Sequence, residues 1–139
     1  MTPQDEVLSA YDLAIDDVEI ERIHNGLINS TWRIKNTHHN FILQKVNDGI
    51  FKNPEAIASN VRQIADYLLK HEPGYLFVSP LKTRDHKEML ELPAFGYFRL
   101  IPFVKNSHTI DTVEQPRQAF EAAKKFGEFT RLLAGFPVQ

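Results

Sequence analysis

The chain has 139 residues and no cysteine, which excludes disulfides, thiolate metal sites and cysteine nucleophiles. Its 42% apolar and 24% charged residues suit one globular domain able to bury roughly two thirds of its unfolded surface. A formal charge of −2 without a Lys/Arg cluster speaks against a nucleic-acid groove. No apolar run approaches the ~20 residues that span a bilayer, and the acidic start MTPQDEVLSAYDL does not read as a signal peptide, so the expected location is cytoplasmic, with no membrane or nucleic-acid partner.

In chain order, Thr2-Pro3 followed by Asp5 and Glu6 predicts a helix start, with a hydroxyl cap, proline in the first turn and acids at the positive end of the dipole. Val7, Leu8, Tyr11 and Leu13 supply a short apolar stripe. From Val18 the period becomes two, and Val18, Ile20 and Ile23 mark a strand with a slip near its end. Thr31, Trp32 and Ile34 begin a second strand, and Phe41-Ile42-Leu43 a third, after the polar turn Asn36 to Asn40. Asn53-Pro54-Glu55 opens a helix whose residues Ile57, Val61, Ile64, Ala65 and Leu68 fall on one face, and Pro73-Gly74 stops it. Tyr75 to Pro80 and Ala94 to Val104 read as two further strands around a charged turn, Thr83 to Glu88. A last helix is expected over Pro116 to Leu133. Short turns between strands predict an antiparallel sheet of about five strands with the helix from Asn53 packed on one face, an α+β fold.

Three segments carry candidate chemistry. In the turn Asn25 to Ser30, Gly26 allows close backbone approach, and Asn29, Ser30 and Thr31 add donors suited to anionic oxygens. One glycine is also what an ordinary hairpin turn needs. On the third strand Gln44 and Lys45 are adjacent, so alternation sends them to opposite faces and only one can point into a given cleft. Tyr97 to Val104 is an apolar strand ending at Pro102, where a missing N–H stops pairing and leaves neighbouring backbone groups available. The six histidines show no H-x-x-x-H or H-E-x-x-H spacing, so a metal site built by this chain alone is not expected. G-x-S-x-G and P-loop motifs are absent from the sequence.

The blocks Gly26-Leu27-Ile28-Asn29-Ser30-Thr31, Ile42-Leu43-Gln44-Lys45-Val46-Asn47 and Phe51-Lys52-Asn53-Pro54-Glu55-Ala56 resemble the aminoglycoside phosphotransferase/choline kinase-like superfamily. Within it they are most similar to N-acetylhexosamine 1-kinase-like proteins, with G-x-I-N-x-T, I-L-Q-[RK]-[IV]-N and F-K-N-P-E-A at matching spacing. The similarity runs on through Tyr97-Phe98-Arg99. Some relatives bear a mucin-desulfatase label, but the Cys/Ser-x-Pro-x-Arg motif of a sulfatase is absent from this sequence.

The resemblance implies a kinase-like N-terminal lobe over residues 1–104, with residues 105–139 forming the hinge and first helix of a second lobe. It implies ATP as phosphoryl donor, Mg²⁺ held by ligands outside this stretch, and a sugar acceptor such as an N-acetylhexosamine. The family's H-x-D-x-x-x-x-N loop and metal-binding Asp do not occur in the sequence, so residues 1–139 are expected to be inactive alone. Gln44 stands where many relatives carry Lys or Arg, and Asn60 is the nearest polar residue to the usual helix Glu, which predicts a neutral Gln44–Asn60 contact. Adenine would be held by backbone groups of Ile101 and Phe103, with Leu100 behind it and Ile42 above. An exposed apolar surface is expected from Phe103, Val104, Phe126, Phe129 and Phe136, available to a second lobe or a homodimer. The alternative is a non-catalytic interaction domain built on a degenerate kinase-like lobe.

Overall fold

The computed structural model describes residues 1–13, 16–24 and 28–138. Helix α1 (Pro3–Leu8) starts as its sequence dictates. Thr2 Oγ1 accepts from the Asp5 N–H at 3.2 Å, and Asp5 Oδ2 accepts from the Thr2 N–H at 2.9 Å. This reciprocal box satisfies donors that a helix end leaves unpaired. The helix is short, and the apolar stripe outlasts it: Val7, Leu8 and Tyr11, one turn beyond its end, are all buried.

Strands β1 (Glu19–Ile23), β2 (Ser30–Lys35), β3 (Asn40–Val46), β4 (Leu90–Leu92) and β5 (Gly96–Pro102) form one antiparallel sheet in the order β1-β2-β3-β5-β4. The predicted α+β class and five-stranded sheet are therefore observed. The slip in β1 is real: Ile20 lies opposite Ile34 and packs on the core, whereas Ile23, opposite Thr31, falls on the other face. One face carries the main core, with Ile34, Leu43, Phe98, Leu100 and Leu92 packed against Val7, Leu8 and Tyr11. Alternation places Thr31, Arg33, Ile42, Gln44, Arg99 and Ile101 on the opposite face.

One strand lies elsewhere than expected. Tyr75 to Pro80 is irregular, and β4 is Leu90–Leu92, paired with β5 through Leu90–Phe98 and Leu92–Gly96. Pro80 has no N–H to offer a ladder, and the segment's sheet-like bond comes one residue later, from the Leu81 N–H to the Leu100 carbonyl at 2.8 Å. The aromatic side chains that suggested a strand instead meet Phe129, with ring centroids 5.9 Å away for Phe77 and 6.4 Å for Tyr75. The β4–β5 turn requires Gly96, whose φ is +106°.

Helix α2 (Pro54–His71) is capped by Asn53, whose Oδ1 accepts from the Ala56 N–H at 3.1 Å. Its predicted apolar face is only partly covered: Leu68 is buried, while Ile57, Val61, Ile64 and Ala65 are intermediate, and Ala58, outside that expected face, is buried as well. Ala58 packs with Val46 and Met89 in a second, smaller core. Arg62 ties the helix to the segment before β4, pairing with both Glu88 carboxylate oxygens at 2.9 and 3.0 Å and donating to the Pro80 carbonyl at 2.9 Å. Helix α3 (Pro116–Leu132) buries no residue fully. It is held through Phe129 and, just beyond its end, through Phe136, whose ring meets Tyr67 edge-on at 5.3 Å. Gly135 permits this approach, because a Cβ there would lie 2.8 Å from the Tyr67 hydroxyl.

Candidate functional site

The sheet face opposite the main core gathers most of the candidate residues. Ile42 on β3 lies across from Ile101 on β5 and Arg33 on β2; Gln44 lies across from Arg99 and Thr31. Gln44 and Lys45 thus separate as alternation requires. Gln44 shares the face of Ile42, Arg99 and Ile101, while Lys45 is on the core side, where a Cβ on Gly96 would sit 3.5 Å from its Cε. Gly26 lies outside the described residues.

Asn29 and the residue after β3 lock two of the sequence blocks together. Asn29 Oδ1 accepts from the Asn47 N–H at 2.9 Å, and Asn47 Nδ2 donates to the Ile28 carbonyl at 3.2 Å. Ile28 and Asn29, just before β2, are thereby held against the end of β3. Ser30 Oγ accepts from Arg22 Nη2 at 3.3 Å, and Thr31 stands half-buried beside Gln44.

Other expectations are corrected. Gln44 does not bond Asn60, which is exposed on α2; its Oε1 accepts from Arg99 Nε at 2.9 Å. Leu100 is fully buried among Leu43 and Ile34, on the face away from Ile42, so the side chain beside Ile42 is Ile101. The Phe103 N–H is already used, donating to the Asn40 carbonyl at 3.2 Å. Hydrogen-bonded positions alternate along an antiparallel pair, so Ile101, two residues back and opposite Ile42, also turns its backbone groups toward β3. Pro102 is at the non-bonded position between them. Among the described residues, neither the Pro102 carbonyl nor the Val104 N–H meets a backbone partner outside the ladder. The available groups at the end of β5 are therefore one residue further along than the sequence suggested.

The Phe103 ring is covered by Arg33, whose guanidinium carbon is 4.2 Å from the ring centroid, and Arg33 Nε donates to Asn40 Oδ1 at 3.2 Å. Sequence reasoning gave Arg33 and Arg99 no role; the available signal was a cation alternating with apolar residues in each strand. Burial pushes the Arg99 guanidinium below its ordinary value, and no carboxylate pairs with it among the described residues. A separate hollow of about 490 Å³ opens between α2 and β4, lined by residues including Ala58, Ser59, Met89 and Tyr97. Neither Gln44 nor Arg99 lines it, although Tyr97 shares their sheet face. The described residues contain no group of three or more His, Asp or Glu side chains able to hold a metal.

This arrangement, an antiparallel sheet leading through β5 to an irregular segment and then a helix, matches the N-terminal lobe of a kinase-like fold. A solved structure with the same fold is spectinomycin phosphotransferase, APH(9)-Ia, in complex with ADP and spectinomycin, at a TM-score of 0.65 and 14% identity. The alignment covers 100% of this chain and 39% of that one, so this chain spans well under half of its neighbour's length. No family model matches the sequence.

Proposed function

We propose that residues 1–104 form the ATP-binding lobe of a small-molecule kinase, with residues 105–139 belonging to the hinge and the first helix of a second lobe. The observation that carries this reading is the junction at the end of β5. There an apolar wall, Ile42 and Ile101, adjoins a carbonyl at Pro102 and an N–H at Val104 that meet no backbone partner among the described residues. A purine presents one donor and one acceptor on adjacent edge positions, which a C=O and an N–H two residues apart can meet. The neighbouring structure's ADP complex and the three sequence blocks support the same reading.

The acceptor is a sugar hydroxyl, in keeping with the resemblance to N-acetylhexosamine kinases, and the setting is cytoplasmic. Positioning and charge neutralisation supply most of the catalysis in phosphoryl transfer. This chain would contribute the nucleotide contacts, and the catalytic base would come from residues it does not contain. The apolar residues exposed on α3, Phe120 and Phe126, are assigned to the lobe–lobe contact or, for this chain alone, to self-association.

Val104→Pro tests the hinge. It deletes the proposed donor at a position outside the strands, and ATP binding to the 139-residue chain should weaken by about 1 kcal/mol, roughly fivefold. Val104→Ala should bind as the parent does. Unchanged ATP affinity in a folded Val104→Pro protein would remove the hinge assignment. Phe103→Pro would not serve, because that N–H belongs to the sheet.

A further inference from the structure

We propose that Arg99 on β5 is the cation that binds the nucleotide's phosphates, in the place that Gln44 on β3 leaves uncharged; this rests on the nucleotide-binding reading above. A polyphosphate bound against this sheet face needs a positive group, and Lys45 is directed to the other face. Gln44 is neutral, but its Oε1 accepts from Arg99 Nε at 2.9 Å. That bond uses one of the guanidinium's five N–H donors and leaves the terminal fork unbonded among the described residues. A planar fork of this kind matches two phosphate oxygens at once.

Three features distinguish Arg99 from an arginine that merely decorates a sheet. It is half-buried beside β3, where a cation is costly to hold without a counter-charge. No carboxylate pairs with it among the described residues, in contrast to Arg62, which has Glu88. Its cross-strand neighbour on the face is Gln44, which in turn lies opposite Thr31, and both can donate to or orient an anion without neutralising the arginine. Asn29, two residues before Thr31, is tied to Asn47 just after β3, at the same end of the sheet as Gln44. Gln44 acts here as a positioning residue, holding the guanidinium through Nε and leaving its terminal N–H groups to an anion.

Arg33, the other arginine among these residues, is engaged differently. It lies over the Phe103 ring and bonds Asn40, one residue pair further toward the end of β5, beside the proposed purine wall. The two arginines thus divide the face, Arg33 next to the base and Arg99 next to the phosphates.

The test compares adenosine, ADP and ATP binding to the 139-residue chain and its variants by calorimetry or by NMR titration. Arg99→Met should weaken ATP and ADP binding at least tenfold and leave adenosine affinity unchanged. The double variant Gln44→Lys/Arg99→Met, which moves the charge to β3, should recover most of the ATP affinity. Arg99→Lys serves if the methionine variant fails to fold, and it should lose ATP affinity threefold or more, since a lysine cannot reproduce the fork. Equal losses for ATP and adenosine, or an unchanged ratio of the two in a folded variant, would overturn the role of Arg99 while leaving nucleotide binding intact. Parent protein that binds neither ATP nor adenosine would overturn both readings together.

Discussion

Tyr11 carries the clearest local conflict in the molecule. Its ring is 1% exposed and completes the main core, yet its hydroxyl meets no hydrogen-bond partner among the described residues. Burial pushes the phenol up to about 12, and the nearby Leu100 backbone counteracts this only in part. The folded protein therefore holds this proton more tightly than the unfolded chain, whose tyrosine titrates near 10. The contribution is complete below pH 10 and lost as the pH rises toward 12, on the order of 2 kcal/mol. Tyr11→Phe deletes the unpaired hydroxyl while keeping the ring. Denaturation at pH 8 should find that variant as stable as the parent or up to about 1 kcal/mol more so. At pH 11 the variant should hold an advantage beyond the one at pH 8. A variant less stable by more than about 1 kcal/mol at pH 8 would show a partner for the hydroxyl.

At the scale of elements, Arg62 does for α2 what apolar packing does for the sheet. The helix meets the small core mainly through Ala58, and a two-pronged ion pair to Glu88 with a third bond to the Pro80 carbonyl anchors its middle. Both side chains are largely shielded, at 24% and 20% exposure, so the pair is worth more than a surface bridge. Arg62→Ala should cost about 2 kcal/mol by chemical denaturation, whereas Lys125→Ala, whose bridge to Glu128 on α3 is exposed, should cost almost nothing. Much of this level was legible in the sequence. Caps at Thr2 and Asn53, the polar turn Asn36 to Asn40 and the period-two runs fix local geometry through interactions among near neighbours. Tyr75 to Pro80 misled because aromatic content marks burial without saying against what, and here the partner is Phe129, more than fifty residues on. The site was half-legible for the same reason. Alternation alone separated Gln44 from Lys45, but the Arg99–Gln44 bond and the use of the Phe103 N–H by Asn40 depend on the register of β3 against β5, which no local pattern encodes.

Across the whole molecule, packing is uneven. The sheet and α1 share a continuous core, and α2 adds a smaller one. Helix α3 buries nothing fully, resting on Phe129 while Phe120 and Phe126 face outward. Local opening should follow this gradient. Hydrogen exchange should release the α3 amides roughly a hundredfold faster than those of β3 and β5; equal protection would mean that α3 is docked as firmly as the sheet. Among the described residues no helix is long and apolar enough to cross a membrane.

The central claim is that nucleotide sits against the sheet face opposite the main core and reaches the backbone just past β5. The most direct measurement is an amide NMR titration of the 139-residue chain with ATP. The account predicts saturable shifts confined to Thr31, Ile42, Gln44, Arg99 and Val104 and their neighbours, with Val104 among the largest. Shifts centred instead on the hollow between α2 and β4, at Ala58, Ser59 and Met89, or no saturable shifts at millimolar ATP, would contradict it.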